Sequence, residues 1–256
     1  MKHYPLPILY TLVTSAHLMR DRWRLFVRCT WPYLAVTLVS QMAPVYGFET
    51  DALPMQILFG LVFLVAMAWA TVRLHRDILL TRSSAANDVA PVPGMRELRI
   101  IGYWLLMCVT LLVVMLSWVS VSGAIGLIHE ESGFWTQMLI TAVTVLMMVW
   151  LISRCGLVIP ATAIDDEPRG LRFAWRLSQE HKRSLFVLTG LIPMSSGLLF
   201  SNVPADGNWL LALGFGVLSY VAWMYEICIL SLSYQWIVQR QTIDKLLQQS
   251  HLNLLA

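Results

Sequence analysis

One carboxylate, Glu226, sits in the otherwise uncharged stretch YVAWMYEICILSLSY (Tyr220–Tyr234). An acid among apolar side chains needs a cation, a proton or water to answer its charge. Ser219 and Ser233 stand seven residues on either side of it, so the three share one stripe of a helix. That stripe should face other helices, because an acid facing lipid costs several kcal/mol. Helix arithmetic suggests Arg154 as the partner. Counted from the outer side at 1.5 Å per residue, Glu226 lies about 26 Å and Arg154 about 30 Å along their helices, a difference of only ~5 Å. A guanidinium stays charged and offers a fork to a carboxylate, so these heights predict a Glu226–Arg154 pair near the inner boundary. The alternative is an Arg154 that reaches out to the interface alone. Such a pair would either fix helix packing or serve as an ion or proton site. With no second intramembrane acid and no convincing inverted repeat, packing is favoured.

Other polar groups carry less chemistry. The run AIDDEPRG (Ala163–Gly170) sets Asp165, Asp166 and Glu167 before a proline. Three acids could hold a divalent cation through oxygen ligands. Acids ahead of Pro168 also complement the start of a helix, which is the preferred reading. His129, Glu130 and Glu131 form a polar cluster without the HExxH pattern and read as a solvated turn. Cys29, Cys108, Cys155 and Cys228 are dispersed, with no metal-ligand spacing, and read as small packing residues. Cys155, beside Arg154, is the one whose thiolate could be stabilised. No Walker loop, nucleophile elbow or CxxC is present. No enzyme, metal or cofactor is therefore expected.

The elements that must position these residues follow from composition. Of 256 residues, 57% are hydrophobic and only 13% charged, with mean hydropathy +0.65. A water-facing surface needs about twice that share of charge. Apolar runs fall at about 25–46, 55–74, 100–127, 134–153, 185–203 and 209–238, each near the ~20 residues that cross a bilayer as helix. The expected fold is an all-α integral membrane bundle of six transmembrane helices in a single domain. The loops 47–54, 128–133 and 204–208 hold only acids, namely Glu49, Asp51, Glu130, Glu131 and Asp206, and none of the 18 Lys and Arg residues. The positive-inside rule then puts the other loops and both termini in the cytoplasm. PLPILYTLV near the N-terminus is broken by Pro5 and Pro7 and followed by RDRWR, so it reads as retained rather than cleaved. The net charge of +3 reports basic loops facing a membrane, not nucleic-acid binding.

Two amphipathic interfacial helices are expected on the cytoplasmic side, at about 8–24 and 168–183. In the first, Leu12, Ala16, Met19, Trp23 and Phe26 lie along one face, with His17, Asp21, Arg24 and Arg28 on another. In the second, Leu171, Ala174 and Trp175 oppose Arg169, Arg172, Arg176 and Arg183. Trp23 and Trp175 with these arginines make an anionic inner-leaflet lipid contact. WRLFV (Trp23–Val27) and RSLFV (Arg183–Val187), followed by Pro32 and Pro193, hint at a duplicated unit, though chance similarity explains so short a match better. Residues 78–98, around TRSSAANDVAPVPG (Thr81–Gly94), read as a mobile loop. Ser122 with Gly126, Ala212 with Gly216, and Gly197 mark close helix packing.

The stretch SRCGLVIPATAIDDEPRGLRFAWRLSQEHKRSLFVL (Ser153–Leu188) resembles a bacterial six-span membrane family. That family also occurs as the membrane domain of some glycerophosphodiester phosphodiesterases. Arg154, Pro160, Ala161, Trp175, Lys182 and Arg183 carry the resemblance, which extends over about residues 135–238. It implies a multi-pass protein of the bacterial inner membrane concerned with lipids or envelope upkeep. Catalysis in the phosphodiesterases belongs to a separate soluble barrel, for which this chain has no room, and Glu226 is not part of the pattern. The expected function is thus non-catalytic: a lipid-contacting or envelope-supporting protein, alone or as a subunit with a protein partner in the membrane. One alternative is a small transporter or channel using Glu226 as ion or proton site, which predicts a polar cavity around Glu226, Ser219 and Ser233. The other is a membrane-embedded enzyme acting on lipid through Asp165, Asp166 and Glu167.

Overall fold

An apolar run in hydrocarbon has no water to satisfy its backbone, so its N–H and C=O groups pair within the run and helix results. The chain, seen in a computed structural model that describes residues 6–42, 53–80, 94–124, 133–167, 170–201 and 208–255, follows that rule throughout. In order come α1 (Ile8–Met42), α2 (Leu53–Leu79), α3 (Met95–Ala124), α4 (Phe134–Cys155), α5 (Val158–Ala163), α6 (Leu171–Leu177) and α7 (Lys182–Leu185). A π-helical turn (Phe186–Leu191), α8 (Ile192–Ser201) and α9 (Trp209–Leu255) complete the chain, and no strand occurs among the described residues. Four stretches are long and apolar enough to cross a membrane: Leu53–Leu79, Met95–Val121, Met138–Ala163 and Trp209–Gln239. This is a multi-pass membrane protein. The acids of the outer loops, His129, Gly126, Arg169 and residues 81–93 lie outside the described residues.

Side chains are distributed for lipid. Leu105, Val109, Leu112, Val113 and Leu116 of α3 are all more than half exposed, except where α3 touches α2, α4 and α5 at other faces. The buried set includes Thr30, Thr71, His75, Ser231 and Ser233. Hydroxyls inside and leucines outside suit a solvent that cannot hydrogen-bond. The hub is α9, which packs against α1 and α2 along one side and α8 and the π turn along another. Near the N-terminal end of α9, Gly216 lies so close to α1 that an added Cβ would stand 3.0 Å from Leu38. Gly197, by contrast, has open space around it and marks no close approach.

Several elements differ from expectation. Helices α2 and α3 run into both ends of the expected loop 78–98, reaching Leu79 and starting at Met95, and α9 continues to Leu255 rather than ending near 238. Residues 8–24 do not form a separate interfacial helix: α1 is one continuous helix of 35 residues running through Arg24 and Leu25. No glycine or proline interrupts it before Pro32, so nothing in the chain breaks it where the membrane would begin. At 1.5 Å per residue it is about 52 Å long, well beyond the ~30 Å of hydrocarbon. Residues 171–185 divide into two short helices, α6 and α7, instead of one. Around Ser178 the hydroxyl donates to the Trp175 carbonyl at 2.9 Å, which closes α6.

The π turn has a local cause. Pro193 has no N–H to offer the preceding turn, and the ladder widens ahead of it, with Ile192 N–H donating five residues back to Val187. Within this turn Gly190 meets α4. A Cβ there would lie 2.6 Å from Val149 Cγ1 and 3.1 Å from its carbonyl, so only glycine fits.

Candidate functional site

A cavity of about 240 Å³ opens inside the bundle, walled by α2, α3, α5, the π turn, α8 and α9. Thr71 and His75 reach it from α2, Trp104 from α3, Thr189 from the π turn, and Trp223 and Glu226 from α9. The helix register explains why these groups meet. His75 stands as many residues from the start of α2 as Ser231 does from the start of α9, and the two side chains touch. Thr71 is one turn above His75, and Glu226 is five residues above Ser231.

His75 is fully buried, and its Nδ1 lies 2.7 Å from Ser231 Oγ. Ser231 has one proton, and it goes to the Ile227 carbonyl at 2.8 Å. Its oxygen can then only accept, so Nδ1–H is the donor and the lone pair of the neutral ring sits on Nε2. Nε2 has no hydrogen-bond partner in the protein. Leaving a buried polar atom unpaired costs about 1–3 kcal/mol, which a packing role alone does not explain.

Glu226 is half-buried and bonded to Ser196 of α8. Ser196 Oγ also lies 2.8 Å from the Pro193 carbonyl. One hydroxyl proton therefore faces two acceptors. If the carboxyl group is protonated it donates to Ser196 and both contacts are satisfied; if it is ionised, Ser196 must turn its proton from Pro193 to Glu226. Thr71 donates to the Met67 carbonyl at 2.7 Å, and Thr189 to the Leu185 carbonyl at 3.0 Å.

The expected Glu226–Arg154 pair is not formed. Arg154, only 7% exposed, lies 4.7 Å above the Trp175 ring and 5.9 Å from that of Trp150, and its Nε and Nη1 are buried without hydrogen-bond partners. The heights were compatible but the faces were not. α4 packs on the π turn, which packs in turn on α9, so the arginine and the acid look into different seams. Trp175 is correspondingly drawn inward, at 5.2 Å from Trp150, and is half-buried rather than set among head groups. Nor does the polar stripe line the cavity: Ser219 is half-buried elsewhere on α9, and Ser233 is fully buried with Oγ unpartnered.

Two of the three acids, Asp165 and Asp166, also find other work, while Glu167 is exposed. Asp165, in the left-handed region at φ 55°, accepts from Arg96 Nε and, at 3.4 Å, from Arg99 Nη1. Asp166 accepts from the Tyr234 hydroxyl. They tie the α5–α6 turn to α3 and α9, and the next helix starts only at Leu171, so they do not sit in its first turn. Trp23, Arg24, Arg28, Arg172, Arg176 and Arg183 are exposed, as a lipid-facing collar requires, and Arg24 lies 5.7 Å over the Trp23 ring. The cysteines are spread from exposed Cys108 and half-buried Cys29 to buried Cys155 and Cys228.

His75, Ser231, Ser196, Thr71 and Thr189 were not anticipated. His75 falls one residue beyond the apolar run at 55–74 and next to a basic stretch, which made it look like loop. The signal was there in Thr71 and His75 at i, i+4, a polar pair on one face of an apolar helix. No family model, curated protein or solved structure matches this chain.

Proposed function

We propose that this chain is a non-catalytic, six-span protein of the bacterial inner membrane, with both termini cytoplasmic, that binds a small ligand in the His75–Glu226 cavity as a transporter or channel does. The observation that carries this reading is a cavity within an apolar bundle whose histidine and acid are held in place but not neutralised by an ion pair. Intramembrane ionisable groups facing a cavity mark ion, proton or substrate paths. The six-span reading draws on the length of α1 and on the continuous helical run Lys182–Ser201, in addition to the four apolar stretches.

The test is modification of Glu226 by dicyclohexylcarbodiimide in proteoliposomes, followed by peptide mass spectrometry across a pH series. A carboxyl group that exchanges protons through a cavity should react, and react less as pH rises. If Glu226 stays unmodified at every pH until the protein is denatured, the cavity is sealed and the reading is lost.

A second reading, lipid contact, has its own support. An apolar groove of about 500 Å³ between α1 and α2 is lined by Pro32, Val36, Leu61, Val65 and Trp69, and Arg73 stacks on Trp69 at 3.6 Å. An acyl chain in the groove would bring its phosphate towards Arg73 and the exposed collar. Replacing Arg172, Arg176 and Arg183 by Gln should lower retention of anionic lipid in native mass spectra; unchanged retention would remove this second reading.

A further inference from the structure

We infer that the cavity's ligand is a protonated amine with a small apolar body, taken up in exchange for a proton. This rests on the cavity being a ligand site, and it follows from counting donors and acceptors. Ser231 and Thr71 have committed their hydroxyl protons to helix carbonyls, as has Thr189. His75 spends its one N–H on Ser231 and leaves Nε2 as a lone pair. Glu226 has an oxygen to spare beyond its bond to Ser196. What the wall can still offer is therefore mainly acceptors: a carboxylate oxygen of Glu226 and the hydroxyl lone pairs of Thr71 and Thr189, with the His75 Nε2 lone pair buried behind them. An anion could meet the indole N–H groups of Trp104 and Trp223, but it would also face the carboxylate of Glu226. A neutral hydroxyl would satisfy one acceptor and leave the carboxylate's charge standing. An ammonium group brings three donors and the missing positive charge.

The rest of the wall agrees. Trp104 and Trp223 supply aromatic faces, which attract organic cations and pack an apolar body. At ~30 Å³ for each water-sized unit, about 240 Å³ holds roughly eight non-hydrogen atoms. A metal ion is less well served, because no group of three His, Cys, Asp or Glu side chains is found among the described residues.

The exchange follows from Ser196. In the empty site a protonated Glu226 donates to Ser196, and Ser196 donates to the Pro193 carbonyl. An arriving ammonium takes the proton's place beside the carboxylate, the proton leaves, and Ser196 turns to Glu226. One positive charge enters and one departs. The titratable groups facing Glu226 are His75 from α2 and Tyr33 from α1. The π turn, α5 and α8 contain none, and α3 contributes Trp104 to the wall.

The experiment is calorimetric titration of the full chain in lipid nanodiscs with benzylamine, benzyl alcohol and benzoate, corrected with empty discs. Buffers of different ionisation enthalpy count the protons released. Benzylamine should bind at least about tenfold more tightly than the other two, release close to one proton, and bind better as pH rises through the titration of Glu226. Glu226→Gln should abolish the preference for the amine. Thr71→Val, which keeps shape and removes one acceptor, should weaken benzylamine by a few-fold and serves if the first variant misfolds. Equal binding of benzyl alcohol, or amine binding without proton release, overturns the inference while the cavity remains a ligand site. No binding by any of the three overturns it as well; the carbodiimide reaction at Glu226 then tells whether the cavity reading stands or falls with it.

Discussion

Ser231 has one proton to give and Ile227 takes it, and that small fact sets the tautomer of a histidine on the neighbouring helix. Ser231→Ala would strip a fully buried Nδ1–H of its acceptor, so it should cost about 1–3 kcal/mol in a denaturant titration in detergent. Ser233→Ala makes the control, since its Oγ is buried and bonds nothing, and the loss should be near zero or a gain. At Arg154 the question is coupling. A buried ion pair broken on one side costs about 3–5 kcal/mol, whereas a desolvated cation resting on aromatic rings contributes about 2 kcal/mol or more that owes nothing to Glu226. A double-mutant cycle between Arg154→Met and Glu226→Gln should therefore show coupling below about 0.5 kcal/mol, and a value of several kcal/mol would restore the ion pair. At this scale a lone acid among apolar residues was readable, because no other residue in Tyr220–Tyr234 carries charge. The direction of Arg154 was not, since linear spacing says nothing of which seam a helix face looks into until the neighbours are known.

Helices α4 and α9 never needed to meet for the site to form, because the π turn stands between them. It presents Thr189 to the cavity on one side and Gly190 to Val149 on the other. Gly190→Ala should push the π turn off α4 and cost about 1–3 kcal/mol, the usual penalty for overpacking, read as a lower melting temperature in detergent. Gly197→Ala, in open space about two turns further along, should be neutral or slightly stabilising as a helix substitution. Apolar periodicity found every long helix near its place. It could not see that α1 runs unbroken through the expected membrane boundary, since charge on a helix surface does not interrupt the backbone ladder. It also could not see the break after Leu177, where a serine hydroxyl turning back on Trp175 ends a helix that propensity alone would continue.

Across the whole molecule, burial gives the solvent, and the proposed orientation rests on charge. Exposed leucines and valines surround a core in which threonine, serine and histidine are hidden, and the basic collar is exposed at Arg24, Arg28, Arg172, Arg176 and Arg183. The orientation can be tested with a maleimide that does not cross membranes. Asn208→Cys, exposed before α9, should label in intact cells, and Arg176→Cys only after permeabilisation. Labelling in the opposite order would invert the topology.

The π turn carries one more consequence. It holds an extra residue relative to an α-helical path, and each residue of α-helix turns the chain by about 100°. Deleting a single residue between Phe186 and Leu191 would remove that extra residue and let the segment relax to ordinary helix with α7 and α8 still in phase. Deleting one residue from α8 instead would turn everything beyond it by about 100°. The turn is thus a slack link in an otherwise rigid shaft, and a one-residue deletion should be better tolerated within it than in the helix that follows.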